Sequence, residues 1–332
     1  MTTQDVRAPL REPLPAAKRV RFRGTLRWVV SRVLGGAFVL WAVATLIFFG
    51  LRLIPGDPAE AILGGPGSQA SPEALEKVRQ DYGLDQPLLT QYVQSMLRLL
   101  SGDLGTSYAL KADVATLLGG LFWSTLVLTA LSLVVAWAFA LVLATWTTRG
   151  GRLASMVGSG MEIVAAAVPH FWLASLFILL FSTALQWLPP ISTPGPLGLV
   201  LPVLTLAIPL AGFLGQVMRE SLADALESPF VLSARARGES ETGVRWRHAI
   251  RHAALPAIAL SGWAFGSLLS GAVVVETVFA RPGLGRSLLN AVTIRDVPMV
   301  TGVALVSALA FVVVTIATDA VDRIADPRLR SS

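Results

Sequence analysis

The chain has 332 residues, and its three histidines, 21 acidic residues and lack of cysteine bound the reactive sites it could build. His248 and His252 stand four residues apart, the spacing that puts two imidazoles on one helix face and can begin a metal site. No His-Glu-x-x-His pattern and no third ligand accompany them, and arginines surround them, so no metal is expected. His170, directly after Pro169 in an apolar run, is read as hydrogen-bonded within a helix bundle and not as catalytic. A phosphate-cradling Gly-x4-Gly-Lys-Ser/Thr loop is absent, and Gly283-Leu284-Gly285 lacks the third glycine of a dinucleotide turn. With no cysteine, disulfides, thiol chemistry and thiolate metal sites are excluded. Glu162, Glu276 and Asp319 lie near the ends of apolar runs, whereas a proton-driven carrier needs an ionisable relay at membrane depth. No nucleophile–base pair is apparent. The chain is not expected to be an enzyme, and its energy is expected from a partner.

The elements around these residues are apolar and long. Hydrophobic residues make up 54% of the chain and charged residues 14%, against about a quarter charged in soluble domains. That balance excludes a soluble enzyme, a disordered protein and a coiled coil, and indicates an integral membrane protein. A crossing helix needs about 20 mainly apolar residues. Charge-free windows run over Val33–Leu51, Val114–Thr148, Ile163–Met218, Ala253–Val275 and Val297–Thr318. The third is too long for one span and is broken by Pro189, Pro190, Pro194, Gly195 and Pro196, so six spans are predicted. The first follows more than 30 residues and no small-residue cleavage pattern comes after it, so it is not expected to be a signal peptide.

Basic residues set the orientation. They crowd the N-terminal segment, the segment holding Arg149 and Arg152, the loop from Arg219 to Arg251, and the tail with Arg323, Arg328 and Arg330. These are expected in the cytoplasm, with both termini inside. The net charge of +6 is therefore read as orientation, and no nucleic-acid partner is expected. The predicted organisation is a basic segment 1–32, a first span 33–54, an outer segment 55–113, a core 114–326 with a cytoplasmic loop 220–255, and a tail 327–332.

Two loops carry pattern. In the outer segment Ser71-Pro72 reads as a helix cap and first position, and Gly83 as its stop. Leu88, Leu89, Tyr92, Val93, Met96, Leu97 and Leu100 then recur at helical spacing, predicting an amphipathic helix in the outer interface or against the bundle. In the cytoplasmic loop Ser228-Pro229 reads as another cap pair, Phe230 to Arg237 as a short helix and Gly238 as its left-handed stop. A second basic amphipathic helix, with Val244, Trp246 and Ile250, leads to Pro256. Helices this short need a covering surface: the bundle, lipid head groups or a cytoplasmic partner.

The stretch PFVLSARARGESETGVRWRHAIRHAALP resembles the cytoplasmic loop of ABC-importer permeases of the dipeptide and oligopeptide branch. LRLIPGDPAEAILG, GLDQPLLTQYVQSMLRLLSGDLGTS, VPHFWLASL, GAVVVETVFARPGLG, IRDVPMV and DPRLR are similar to that branch as well, in the family's order. The resemblance implies an all-α membrane protein of six helices, with the type I importer architecture, in the bacterial inner membrane. It implies that the short helix is a coupling helix docking on an ATPase through Phe230, Ser233, Ala234, Arg235, Ala236, Arg237 and Gly238. The family pattern begins Glu-Ala-Ala with a glycine four residues after the second alanine. Ala234 and Gly238 match it, while Leu232 and Ser233 stand where the Glu and first Ala would be. That departure bears on any salt bridge from the Glu and not on docking, which small residues and Arg235 and Arg237 favour. The implied partners are a second homologous permease subunit, two ABC ATPases holding ATP and Mg, an extracytoplasmic binding protein and membrane lipid. No cofactor is implied on this chain. The substrate implied is a di- or oligopeptide, with nickel chelates or glutathione as the branch's alternatives. A self-sufficient secondary carrier is the reading from a different class.

Overall fold

In the computed structural model, residues 16–53, 56–64 and 70–325 are described. The first part of the basic N-terminal segment and the tail with DPRLR lie outside them. In chain order the helices are α1 (Ala16–Arg52), α2 (Pro58–Ile62), α3 (Pro72–Asp81), α4 (Leu88–Leu100), α5 (Val114–Arg149), α6 (Gly151–Ala167) and α7 (His170–Phe177). They continue with α8 (Leu197–Leu226), α9 (Pro229–Ala236), α10 (Glu241–Gly243), α11 (Ile250–Val278), α12 (Leu284–Thr293) and α13 (Val297–Ala325). Wide π-type turns extend α7 over Ile178–Ala184 and join α10 to α11 over Val244–Ala249. The protein is all-α, with no strand among the described residues.

Among the described residues, five helical stretches are long and apolar enough to cross a membrane: Trp28–Arg52, Val114–Arg149, Leu197–Leu226, Glu241–Val278 and Val297–Val321. The sixth predicted span is a pair, α6 and α7, bent by 102° at Val168-Pro169. Pro169 supplies no N–H to the helix before it, and its ring disfavours helical backbone at Val168, whose ψ is 125°. The proline-rich segment between α7 and α8 breaks the chain as predicted. Pro256 does not: α11 continues through it, and α8 likewise contains Pro202 and Pro209. A proline costs a helix one hydrogen bond, but ending the helix in an apolar bundle would leave more backbone groups without partners, and the wide turns just upstream of α11 ease the ladder past Pro256.

α8 is the central post, packed on α5, α6, α7 and α11. Its partner face on α5 is made of small residues at four-residue spacing: Ala136, Ala140 and Ala144 are each fully buried. Membrane helices associate by van der Waals packing, and small residues let their backbones approach. α1 leans on α13 at the periphery, and an Arg32–Asp319 ion pair of 2.6 Å ties the two together.

At the end of the bundle where α1 finishes and α13 begins, buried carboxylates hold the irregular segments. Glu276, near the end of α11, accepts from Thr125 Oγ1 on α5 and from the Gly285 and Arg286 N–H groups that open α12 (2.8 and 3.1 Å for the amides). Asp296 accepts from Ser107, from the Ala109 N–H and from the Met299 N–H in the first turn of α13. In both cases an acid meets a helix N-terminus with free amides, a favourable arrangement of charge and dipole. A smaller apolar cluster of Val114, Leu118, Leu284, Ala291, Met299, Val300 and Val303 lies beneath them.

Two predicted helices of the outer segment are present. Ser71 caps α3 through the Ala74 N–H, and Gly83 follows with φ 62°. α4 packs by Tyr92, whose hydroxyl meets Trp41 Nε1 at 3.0 Å and Thr45 Oγ1 at 2.9 Å and whose ring stacks on Phe49. Leu89, Val93, Leu97 and Leu100 stay exposed on its other side. One face of the helix thus docks on α1, and the other is left exposed.

Candidate functional site

The opposite end of the bundle is built from arginine. α9 is a two-turn helix with its axis set by what it buries: Val231 and Ala234 are fully buried, next to the equally buried Val244 and Ala249. Ser228 begins it, but its hydroxyl donates to the Ala225 carbonyl and caps nothing. Pro229 at the first position needs no cap for an N–H it lacks. The helix ends in a closed C-terminal motif. Gly238 has φ 81°; its N–H reaches the Arg235 carbonyl at 2.9 Å, and the Glu239 N–H reaches back to Ala234 at 3.2 Å. Those two bonds satisfy carbonyls that a helix end leaves open, and they require a left-handed residue between them.

The seven residues singled out on this helix divide by direction. Phe230, Ser233, Arg235, Ala236, Arg237 and Gly238 are exposed, whereas Ala234 faces the bundle and contributes close packing. The two arginines differ as well. Arg235 grips Glu241 with Nε to Oε1 at 2.8 Å and Nη2 to Oε2 at 3.1 Å, and this bidentate pair raises its already high pKa, chiefly through the side-chain hydrogen bond. Arg237 has no ion-pair or hydrogen-bond partner among the described residues. Beside them, Phe230 lies against the His252 ring at 4.6 Å, and Leu232 and Trp246 are exposed.

Several bonds brace this loop to the spans. Arg245 donates through Nη1 to Thr148 Oγ1 near the end of α5. His248 Nε2 meets Glu239 Oε2 at 2.8 Å, directly after the glycine stop. His248 and His252 are thus turned to Glu239 and Phe230, and no group of three potential metal-binding side chains occurs among the described residues. Deeper in, Arg219 of α8 donates through Nε to Glu162 of α6 at 2.8 Å; the carboxylate is fully buried, and its Oε1 has no hydrogen-bond partner among the described residues. The charge patterns of the sequence gave no sign of this pair, because its members lie 57 residues apart. The arrangement is a small exposed helix, clamped at both ends and fixed through α5, α8 and α11 to most of the bundle.

Comparison with known proteins identifies the family. Residues 136–331 match the family described as "Binding-protein-dependent transport system inner membrane component", and residues 25–130 match the N-terminal domain that goes with it. The glutathione transport system permease protein GsiC of Escherichia coli (strain K12) is 35% identical over 309 residues, covering 92% of this chain and 99% of its own. GsiC of Salmonella typhi gives the same identity and coverage. A solved structure, an amino acid ABC transporter with histidines, aligns over 64% of this chain and 94% of its own at 19% identity, with a TM-score of 0.46. The chain belongs to the binding-protein-dependent transport system inner membrane components, the membrane permeases of ABC importers.

Proposed function

We propose that this permease forms half of the path by which a peptide-like solute, handed over by an extracytoplasmic binding protein, enters the cell. The other half is a second homologous subunit, and two ABC ATPases supply the energy. The observation that carries this is the exposed side of α9. A helix of eight residues is too short to persist alone, yet it leaves Phe230, Leu232 and the unpaired Arg237 uncovered beside Trp246. A protein surface with an apolar cleft and acidic groups would cover them. The arginine bias places this end in the cytoplasm, where ATPases work.

Within this reading, ATP binding and hydrolysis displace α9, and the braces to α5 and α11 carry the displacement into the spans as a rigid-body movement. A peptide substrate follows from the branch that the sequence resembles. Glutathione, itself a small peptide, is the second reading, favoured by the named activity of the 35%-identical relatives. The domain limits predicted above, with a first span over 33–54 and a coupling loop over 220–255, belong to the same proposal.

A pull-down of the tagged chain from native membranes in mild detergent tests it. A second six-span subunit and ATPases are expected in the eluate, and the binding protein then takes peptides or glutathione in direct titration. Recovery of the chain alone or as a homodimer, with no ATPase even after cross-linking, would overturn it.

A further inference from the structure

A cavity of about 290 Å³ opens at the carboxylate-stapled end of the bundle, between the end of α1, helices α3 and α4, and the start of α13. Its charged lining is Arg52, Arg79 and Arg295 against the single carboxylate of Asp57. The three cations are not equivalent. Arg79 is occupied by Asp57 and by Glu76 at 3.3 Å. Asp57 is correspondingly settled: burial alone would raise its pKa, but the Ala59 N–H and Arg79 outweigh this and hold it below the ordinary value. Arg52 has two neutral acceptors, Gln91 Oε1 at 2.6 Å and the Phe48 carbonyl at 3.1 Å, and lies over the Phe48 ring at 3.6 Å. Arg295 has no acceptor at all among the described residues, though it is half-buried.

Arg295 has φ 57° because it is the left-handed residue that closes α12: its N–H reaches the Val292 carbonyl at 3.2 Å, and the Asp296 N–H reaches back to Ala291 at 2.8 Å. Opposite it, Gly56 has φ 128°, and any side chain at Gly56 would collide with the guanidinium. Tyr108 adds a neutral donor: burial, the leading cause, pushes its pKa up to about 12, so the hydroxyl keeps its proton. Asp296 lies close by, but its oxygens are taken by Ser107, Ala109 and Met299.

We propose that this cavity is a carboxylate-binding site for a small solute. The carboxylate takes the open fork of Arg295, with Arg52 and Tyr108 beside it, and the apolar remainder lies against Leu51, Leu84 and Val297. One unoccupied planar fork fits one carboxylate edge-on, whereas a phosphate is best held by several such donors. Arg52 and Arg295, whose guanidinium groups have no carboxylate bound to them among the described residues, draw an anion in against the opposing charge of Asp296, and the volume suits a molecule of dipeptide size. The link to an imported peptide rests on the importer reading; binding itself needs no ATPase.

The probes are N-acetyl-alanyl-alanine and its C-terminal amide, which differ in the carboxylate alone. They are titrated against the full chain, with the subunits that accompany it, in nanodiscs, and tryptophan fluorescence follows thermal unfolding. The acid is expected to raise the melting temperature saturably and the amide to leave it unchanged. Arg295→Gln should weaken the acid at least tenfold, about 1.4 kcal/mol, without moving the ligand-free melting temperature. Should that variant misfold, Arg295→Lys keeps the charge and loses the fork, and a severalfold weakening is expected. Equal binding of acid and amide, preference for inorganic phosphate over the acid, undiminished binding by the folded variant, or no binding of the acid to the wild type would each overturn the site. The last result would leave the importer reading standing, because that reading fails only on missing partners or missing uptake.

Discussion

Glu162 is the residue most dependent on one other. Its carboxylate has no exposure, and Arg219 is its only hydrogen-bonding partner in the described structure. Taking away one member of a buried ion pair is far worse than replacing both, since a lone charge is left without solvent; the cost is about 3–5 kcal/mol. Arg219→Ala is therefore expected to lower the thermal midpoint in detergent clearly more than Glu162→Gln, whose neutral amide still accepts a hydrogen bond from the guanidinium. Equal midpoints for the two variants would mean that the pair does not hold α6 to α8. Neither partner was legible as a pair in the sequence. Glu162 reads there as an acid near a span end and Arg219 as one of many arginines, because pairing across 57 residues is set by tertiary packing. Local signals fared better. Ser71 and Gly83 stand at the helix ends that their types predict, because cap chemistry acts over three or four residues. Ser228 shows the limit: its backbone is at a cap position, but its hydroxyl found a nearer carbonyl.

Among the elements, α9 and its glycine stop carry the functional argument. Gly238 has open space where a side chain would go, so crowding does not forbid substitution; its φ of 81° does. A β-branched residue resists that conformation most. Gly238→Val is expected to cut uptake at least tenfold at normal membrane abundance, and Gly238→Asn, which tolerates the left-handed region, to keep most of it. Uptake by both variants at the wild-type rate would detach α9 from coupling. The glycine was legible because a left-handed stop has a residue signature. The inward turn of Ala234 was not, because the exposed Phe230 and Leu232 leave α9 without a clean polar stripe. Pro256 is a separate case. In water a proline after a basic amphipathic run signals an end, but in an apolar bundle the helix finds its packing further on and continues.

At the scale of the whole molecule the two ends are built in opposite ways. Arginines clamp the end that holds α9, while Glu276 and Asp296 staple the other. The span count was legible from apolar length together with the proline break over 189–196, and the bracketing of the spans was legible from charge. The carboxylate staples were not, since they join residues that only the closed bundle brings together. Gly283 tests how firmly the second end is fastened. Its backbone is extended, so any residue could adopt it, but an added Cβ would run into the Glu276 carboxylate. Gly283→Ala should displace the staple from the first turn of α12 and lower the melting temperature by several degrees, about 1–3 kcal/mol for amides left without their acceptor. A melting temperature equal to the wild type would show that α12 is held by apolar packing alone.

The bend between α6 and α7 has a consequence for solvation. Where α6 stops at Ala167, its last carbonyls lose the amides that would have capped them, and Pro169 offers none. Ala166, Ala167 and Pro169 are exposed on the isolated chain. Hydrocarbon cannot hydrate an open backbone, and each unsatisfied group there costs several kcal/mol. Lipid tails are therefore the one neighbour this corner cannot have: in the membrane it must be wet, or roofed by another protein's polar atoms.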